Sequence, residues 1–182
     1  MTRTERRELL ALARCALDAR VRGRPLPPTP QHLNHPAAGL FVTIHCDGAL
    51  RGCLGTLDAR EPLAEAVLRL AADVSHLDYR FTQLTMGELP RVVIDLSVLT
   101  PPVRLSDPLS ITIGRDGLIA EQGSRKGLLL PQVAIEHSWD RETFLAQTCR
   151  KAGLMPDAWR HGATIYGFQA DVFGEGEPRD ES

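Results

Sequence analysis

No apolar run in this 182-residue chain reaches the roughly 18 residues that a membrane-spanning helix requires. The first residues are too charged, and too interrupted, to form the apolar core of a signal peptide. A cytoplasmic protein with no membrane association is therefore expected. Lysine is scarce as well. Lys126 and Lys151 are the two lysines among 21 basic residues, which stand against 23 acidic ones for a net charge of −2. That balance exerts no global pull on nucleic acid. The four cysteines, Cys15, Cys46, Cys53 and Cys149, form no CxxC pair, which suits free thiols in a reducing compartment better than a disulfide framework. A Walker loop, a GxSxG elbow, an HExxH pair and a dinucleotide fingerprint are all missing, so an unaided NTPase, hydrolase or metalloprotease is not indicated. His32 and His35 stand three apart in a Pro-rich stretch, with no cysteine or carboxylate at a recognisable ligand spacing. No metal and no cofactor is expected.

What is present is an ordinary globular composition, 43% hydrophobic and 24% charged, in a chain long enough for one domain or two lobes. Leu9, Leu10, Leu12, Ala13, Ala16 and Leu17 recur at helical spacing, which predicts a helix within residues 1–24. Its seven arginines read as a solvated helix face. Residues 25–39 hold five prolines and read as an irregular connection. "LFVTIHC", Leu40 to Cys46, and "ALRGCLGT", Ala49 to Thr56, flank Asp47-Gly48, a strong two-residue hairpin signal. Pro62 opens a helix to about Leu77 with Leu63, Ala66, Val67, Leu70, Ala71 and Val74 on one face. "RVVIDLSVLT" alternates as a strand. Ser110 to Gln122 reads as a second hairpin across Arg115-Asp116-Gly117. Asp140 caps a helix that Gly153 stops. Ala163 to Phe173 is a last strand, and 174–182 reads as a disordered tail. Hairpins with helices inserted between them argue an α+β fold with a mainly antiparallel sheet.

"LRGCLGT", Leu50 to Thr56, is the most informative stretch. Counted from a two-residue Asp47-Gly48 loop, Cys46 faces Ala49, Ile44 faces Arg51 and Val42 faces Cys53. Side chains alternate along a strand. Arg51 and Cys53 then share a face with Val42, Ile44 and Cys46, whereas His45 lies on the other face with Phe41 and Thr43. On that register Arg51 favours the Cys53 thiolate, His45 is a poor base for it, and Cys46 and Cys53 are too far apart for a disulfide. A one-residue slip inverts these faces. Gly52 and Gly55 mark a bulge, a bend or the close approach of a ligand or a packed helix. Cys53 has two readings, a nucleophile exposed by its flanking glycines or a small buried core residue. Arg80 likewise pairs with Asp78 to fix a turn or holds an anionic ligand group beside Arg51. His137, near the end of a short helix, reads as a helix-end histidine hydrogen-bonded to carbonyls or, if the fold brings it near Cys53, as a base for the thiol.

Several separate blocks carry a family resemblance: "FVTI…GALRGCLGT", "LDYRFTQLTMGELPRVVIDLSVLTPP", "RKGLLLPQVAIEHSWDRETFLAQTCRKAGL" and "YGFQADVFGE". Over residues 5–175 the chain resembles the family named after the AMME syndrome candidate gene, whose prokaryotic members are called AmmeMemoRadiSam system protein A. The family pattern falls on Arg51, Gly52, Cys53, Gly55, Arg80, Phe81, Glu88, Ser97, Gly127, Pro131, Gln132 and Lys151 to Leu154. Tyr79 is a departure, since many members carry proline there. The resemblance implies one α+β domain, residues 40–173, with a larger and a smaller subdomain and the RGCxG motif where they meet. It also implies work alongside Memo-like and radical SAM partners. The expected function is a ligand- or partner-binding subunit with a cleft at the RGCxG motif. Cys53, Arg51, Gly52, Gly55 and Arg80 are its site residues, and a small anionic molecule is a candidate ligand. The alternative is a cysteine-dependent transferase or hydrolase with Cys53 as nucleophile.

Overall fold

The computed structural model of the chain describes residues 1–35, 37–57 and 60–176. It has two compact units, Met1–Val98 with Asp171–Ser182, and Leu99–Ala170.

The first and larger unit begins with α1, Arg3–Val21. Thr2 and Glu5 form a reciprocal cap: Glu5 N–H donates to Thr2 Oγ1 (3.2 Å) and Thr2 N–H to Glu5 Oε2 (2.7 Å). Such a box satisfies donors that a helix start leaves open. Leu9, Leu12, Ala13, Ala16 and Leu17 are buried as their spacing predicts. The arginine face is not merely solvated. Arg6 pairs with Asp171, and Arg14 binds Glu175 and the Val92 carbonyl. The Pro-rich connection forms a 3-10 turn over Gln31–Leu33 and buries Leu33. β1, Gly39–Cys46, and β2, Ala49–Thr56, are antiparallel, and Asp47 and Gly48 have the positive φ of a tight hairpin turn.

α2 spans Leu63–Asp73, shorter than its apolar pattern suggests. A turn continues to Leu77, and the Ser75 hydroxyl donates to the Ala72 carbonyl (2.7 Å), competing with further helix. β3, Val92–Leu99, lies next to β1. One core gathers Leu9 and Leu17 of α1, Leu63, Val67 and Leu70 of α2, Val42 and Ile44 of β1, and Ile94 and Leu96 of β3. The helices therefore cover one face of this sheet.

The second unit contains β4, Val103–Arg104, β5, Asp116–Gln122, β6, Arg125–Leu129, α3, Pro131–Glu136, and α4, Arg141–Lys151. β7, Thr164–Gly174, belongs to this unit through Ala170 and to the first from Asp171. β5 pairs antiparallel with β6 and β7, and β4 with β7. The hairpin expected across Arg115-Asp116-Gly117 is not formed. Its turn is Gly123-Ser124, between Gln122 and Arg125, with Gly123 at positive φ. Asp116 instead accepts Thr112 N–H (2.8 Å) and closes the turn that leads into β5. Asp140 caps α4 through Thr143 N–H (2.8 Å), and Gly153 stops it at positive φ. Phe144, Leu145, Cys149, Leu118 and Ile165 form this unit's core.

The stretch expected as a tail starts differently. Gly174 closes β7, and Glu175 accepts the Ile94 N–H (2.9 Å). Residues 177–182 lie outside those described. The architecture is α+β with antiparallel hairpins.

Candidate functional site

The register of β2 differs from the regular count. Cys46 pairs with Ala49 and His45 with Leu50, but Ile44 pairs with Gly52. Arg51 is an extra residue, a β-bulge, and every face beyond it is inverted. Cys53 therefore faces Thr43 and not Val42. The Thr43 hydroxyl donates to Cys53 Sγ at 3.3 Å. The core holds Val42 and Ile44, so Thr43, and by alternation His45, lie on the sheet's other face. The expectation that His45 and Cys53 point to opposite sides is corrected: they share a face.

The glycines follow from packing. A Cβ on Gly52 would stand 3.1 Å from the Val74 carbonyl and 3.2 Å from Ile44 Cγ1, so the absence of a side chain admits the end of α2. A Cβ on Gly55 would enter the Phe41 ring, which lies over that glycine. Cys53 is half-buried, and all four cysteines are free thiols. Cys149 is fully buried, and that burial pushes its thiol pKa up.

The segment after α2 is fastened to β2 by two arginine–carboxylate clamps. Arg51 donates from Nε to Glu88 Oε1 (2.8 Å), and from Nη1 and Nη2 to the Thr82 and Gln83 carbonyls (2.9 and 3.3 Å). Glu88 also accepts the Thr85 N–H and hydroxyl, each at 2.8 Å. The Arg51 hydrogen bond, aided by those from Thr85, lowers the Glu88 pKa to about 2. Arg51 thus faces Glu88 and two carbonyls rather than serving the Cys53 thiol.

Arg80 binds Asp78 through two bonds, Nε to Oδ1 (2.9 Å) and Nη2 to Oδ2 (2.7 Å). Asp78, with its side chain 3% exposed, also accepts the Cys53 N–H at 2.8 Å. Arg80 Nη2 reaches the Cys53 carbonyl at 3.4 Å. The Arg80 hydrogen bond outweighs burial and holds the Asp78 carboxyl well below the usual carboxylate range. Phe81 lies between the clamps, its centroid 6.0 Å from the Arg51 and 5.5 Å from the Arg80 guanidinium carbon. The pairing of Arg80 with Asp78 is the turn-fixing role foreseen for it.

Of the predicted site residues, Arg51, Gly52, Cys53, Gly55 and Arg80 are gathered around one strand. Glu88 and Phe81 join them, as the family pattern suggests. Residue-level reading put Thr43 and His45 on the face away from Cys53 and did not single out Asp95. His45 Nδ1 lies 3.0 Å from Asp95 Oδ2, and a bulge read at Gly52 would have brought Cys53 onto the face of His45. The other histidines have local partners. His32 and His35 lie 2.6 and 2.9 Å from Glu8 and Glu5. His137, at the end of α3, stacks on Trp139 with ring centroids 4.7 Å apart. Among the described residues no three of His, Cys, Asp and Glu come together to hold a metal. No helix among them is long and apolar enough to cross a membrane.

The sequence profile of the AMMECR1 family matches residues 10–173, which include both clamps and Cys53. The chain belongs to the AMMECR1 family. Protein MJ0810 of Methanocaldococcus jannaschii is 45% identical, over 79% of this chain and 76% of that protein. Protein PF1979 of Pyrococcus furiosus is 42% identical, over 94% of this chain and 88% of that protein. The crystal structure of the uncharacterized protein PH0010 from Pyrococcus horikoshii superposes with a TM-score of 0.82 at 39% identity, covering 94% of this chain and 92% of that one. AMMECR1-family membership and the α+β fold thus stand together.

Proposed function

We propose that this AMMECR1-family protein is a ligand- or partner-binding subunit that works through the segment fastened to β2. The observation that carries this reading is the exposure of Tyr79. Tyr79 is 95% exposed although its neighbour Asp78 is buried and doubly bonded. Leu77 and Met86 are also exposed, as are Leu50 and Leu57 at the two ends of β2. Large apolar side chains held in water by a fixed backbone mark a contact surface. Memo-like and radical SAM proteins are the partners that the family resemblance suggests, and the half-exposed Arg80 suits an anionic group in a cleft at the RGCxG motif. Purified chain should retain such partners on a column, and Tyr79→Ala should reduce that retention about tenfold or more. Retention equal to wild type would overturn the surface assignment.

A second reading, a cysteine-dependent transferase or hydrolase with Cys53 as nucleophile, is favoured by a specific contact: the sulfur of the half-buried Cys53 accepts the Thr43 hydroxyl. Cys53→Ser separates the two, since it abolishes a thiol reaction and leaves partner retention in place.

A further inference from the structure

Cys53, His45 and Asp95 stand on three adjacent strands, β2, β1 and β3 in that order, on the face that α1 and α2 do not cover. Thr43 fixes this face for Cys53, and the burial of Ile94 and Leu96 on the core side fixes it for Asp95. His45 and Asp95 have side chains about a third exposed, and Nδ1 lies 3.0 Å from Oδ2. A carboxylate at Nδ1 keeps the proton there and leaves the Nε2 lone pair as the basic site. Among the described residues Nε2 has no partner.

Gly174 makes room for this arrangement. A Cβ at that position would fall on Asp95 Oδ1. Because Cys53 pairs directly with Thr43, His45 is its diagonal neighbour, with Cα atoms about 7–8 Å apart. A single water between Sγ and Nε2 is a relay that a general base can use. Beyond Cys53, Arg80 has its Nε and Nη2 engaged while Nη1 has no partner among the described residues.

We infer that His45, held by Asp95, is the general base and acid for Cys53 in acyl transfer from esters or thioesters. This rests on the reading of Cys53 as a nucleophile. Cys53 Sγ attacks the carbonyl carbon and a C–S bond forms. The thiol proton passes through the water to His45 Nε2. The tetrahedral adduct then collapses and breaks the bond to the leaving oxygen or sulfur, which takes the proton from Nε2. The products are acyl-Cys53 and a free alcohol or thiol. Water or a second nucleophile, giving its proton to Nε2, releases the acyl group and restores the thiol. Arg80 Nη1 would take an anionic group of the donor. His45 would be a catalytic residue and Asp95 a positioning residue.

The test is acetylation of the full chain by p-nitrophenyl acetate, read as modification of the Cys53 peptide by mass spectrometry. Wild type should acetylate at Cys53. His45→Gln should slow that step about a hundredfold at neutral pH, within the range of general-base contributions. Asp95→Asn and Gly174→Ala should slow it about tenfold and move its pH profile toward that of an unassisted thiol. The titratable and charged groups near His45 include Asp95 on β3, Cys53 on β2 with the Arg80–Asp78 pair behind it, and at the adjoining turn Cys46 and the Asp47–Arg91 pair. Gly174→Ala touches neither reacting group, and far-UV circular dichroism checks that each variant is folded. No acetylation of Cys53 in wild type would sink the nucleophile reading and this inference together. Acetylation of wild type with an unchanged rate and pH profile in His45→Gln would overturn the His45 role alone.

Discussion

The two hairpins, β1–β2 and β5–β6, are made of the same parts. Each turns over two residues and uses positive φ to do so, at Asp47 and Gly48 in one and at Gly123 in the other. Each carries a glycine in its second strand against which a helix end packs. Gly52 admits Val74 at the end of α2, and Gly127 admits the backbone of Lys151 and Ala152 at the end of α4. They differ by one residue. β5–β6 keeps register from Gln122–Arg125 to Leu118–Leu129 without a break. β1–β2 loses it at Arg51. A turn therefore sets register only as far as the first bulge, and the bulge decides which face Cys53 takes.

The sharpest way to break this comparison is a crosslink. Thr43→Cys should form a disulfide with Cys53 under mild oxidation, because directly opposed residues lie within bridging distance. Val42→Cys should form none. A bridge from Val42→Cys, read by non-reducing peptide mapping, would restore the regular register and remove the bulge.

The glycines give the next effects. Gly127→Ala forces a methyl group into backbone, so a loss of about 3 kcal/mol is expected in urea unfolding. Gly52→Ala meets looser contacts, 3.0–3.2 Å, and should lose about 1 kcal/mol. Equal losses at the two sites would show that the helix ends are held alike.

Between these in size lies Asp78→Asn, at about 2 kcal/mol, because it weakens charge-assisted hydrogen bonds from Arg80 and Cys53. The same clamps predict an acid dependence. Asp78 and Glu88 have pKa values lowered from ordinary values of 3.8 and 4.5. A carboxylate depressed in the folded state contributes stability that is fully present above its unfolded pKa and declines as pH falls through the folded one. For Glu88 the loss should begin near 4.5 and continue toward about 2. A Glu88→Gln protein should lose this part of the acid dependence, as urea midpoints across that range would show. A slope identical to wild type would mean that Glu88 has the same pKa in the folded and the unfolded chain.

The first hairpin, the helix faces, the α4 caps and the last strand were legible because each depends on local signals: apolar period, cap residues and an Asp-Gly turn. What was not legible depends on contacts distant in sequence. Nothing near "LRGCLGT" announces that Glu88 will take Arg51, or that the backbone of Cys53 will meet Asp78. Nor does Ser110–Gln122 reveal that Asp116 will tie itself back to Thr112 and postpone the hairpin to Gly123. The bulge lies between these cases. Gly52 signalled it, and so did Leu54, which a regular count turns away from Val42 and Ile44 and which the bulge brings onto the core with them.

The Arg80–Asp78 pair has one more effect. β2 is bonded to β1 on one side and stands at the end of its strand order, which makes it an edge, the part of a sheet most prone to recruit a stray chain. At its middle the Cys53 N–H is taken by a carboxylate and its carbonyl by a guanidinium. Two side chains thus imitate the missing neighbour, and the row of open backbone groups is interrupted where an incoming strand would dock. Aggregation resistance is thus built into the residues that hold Tyr79 in water.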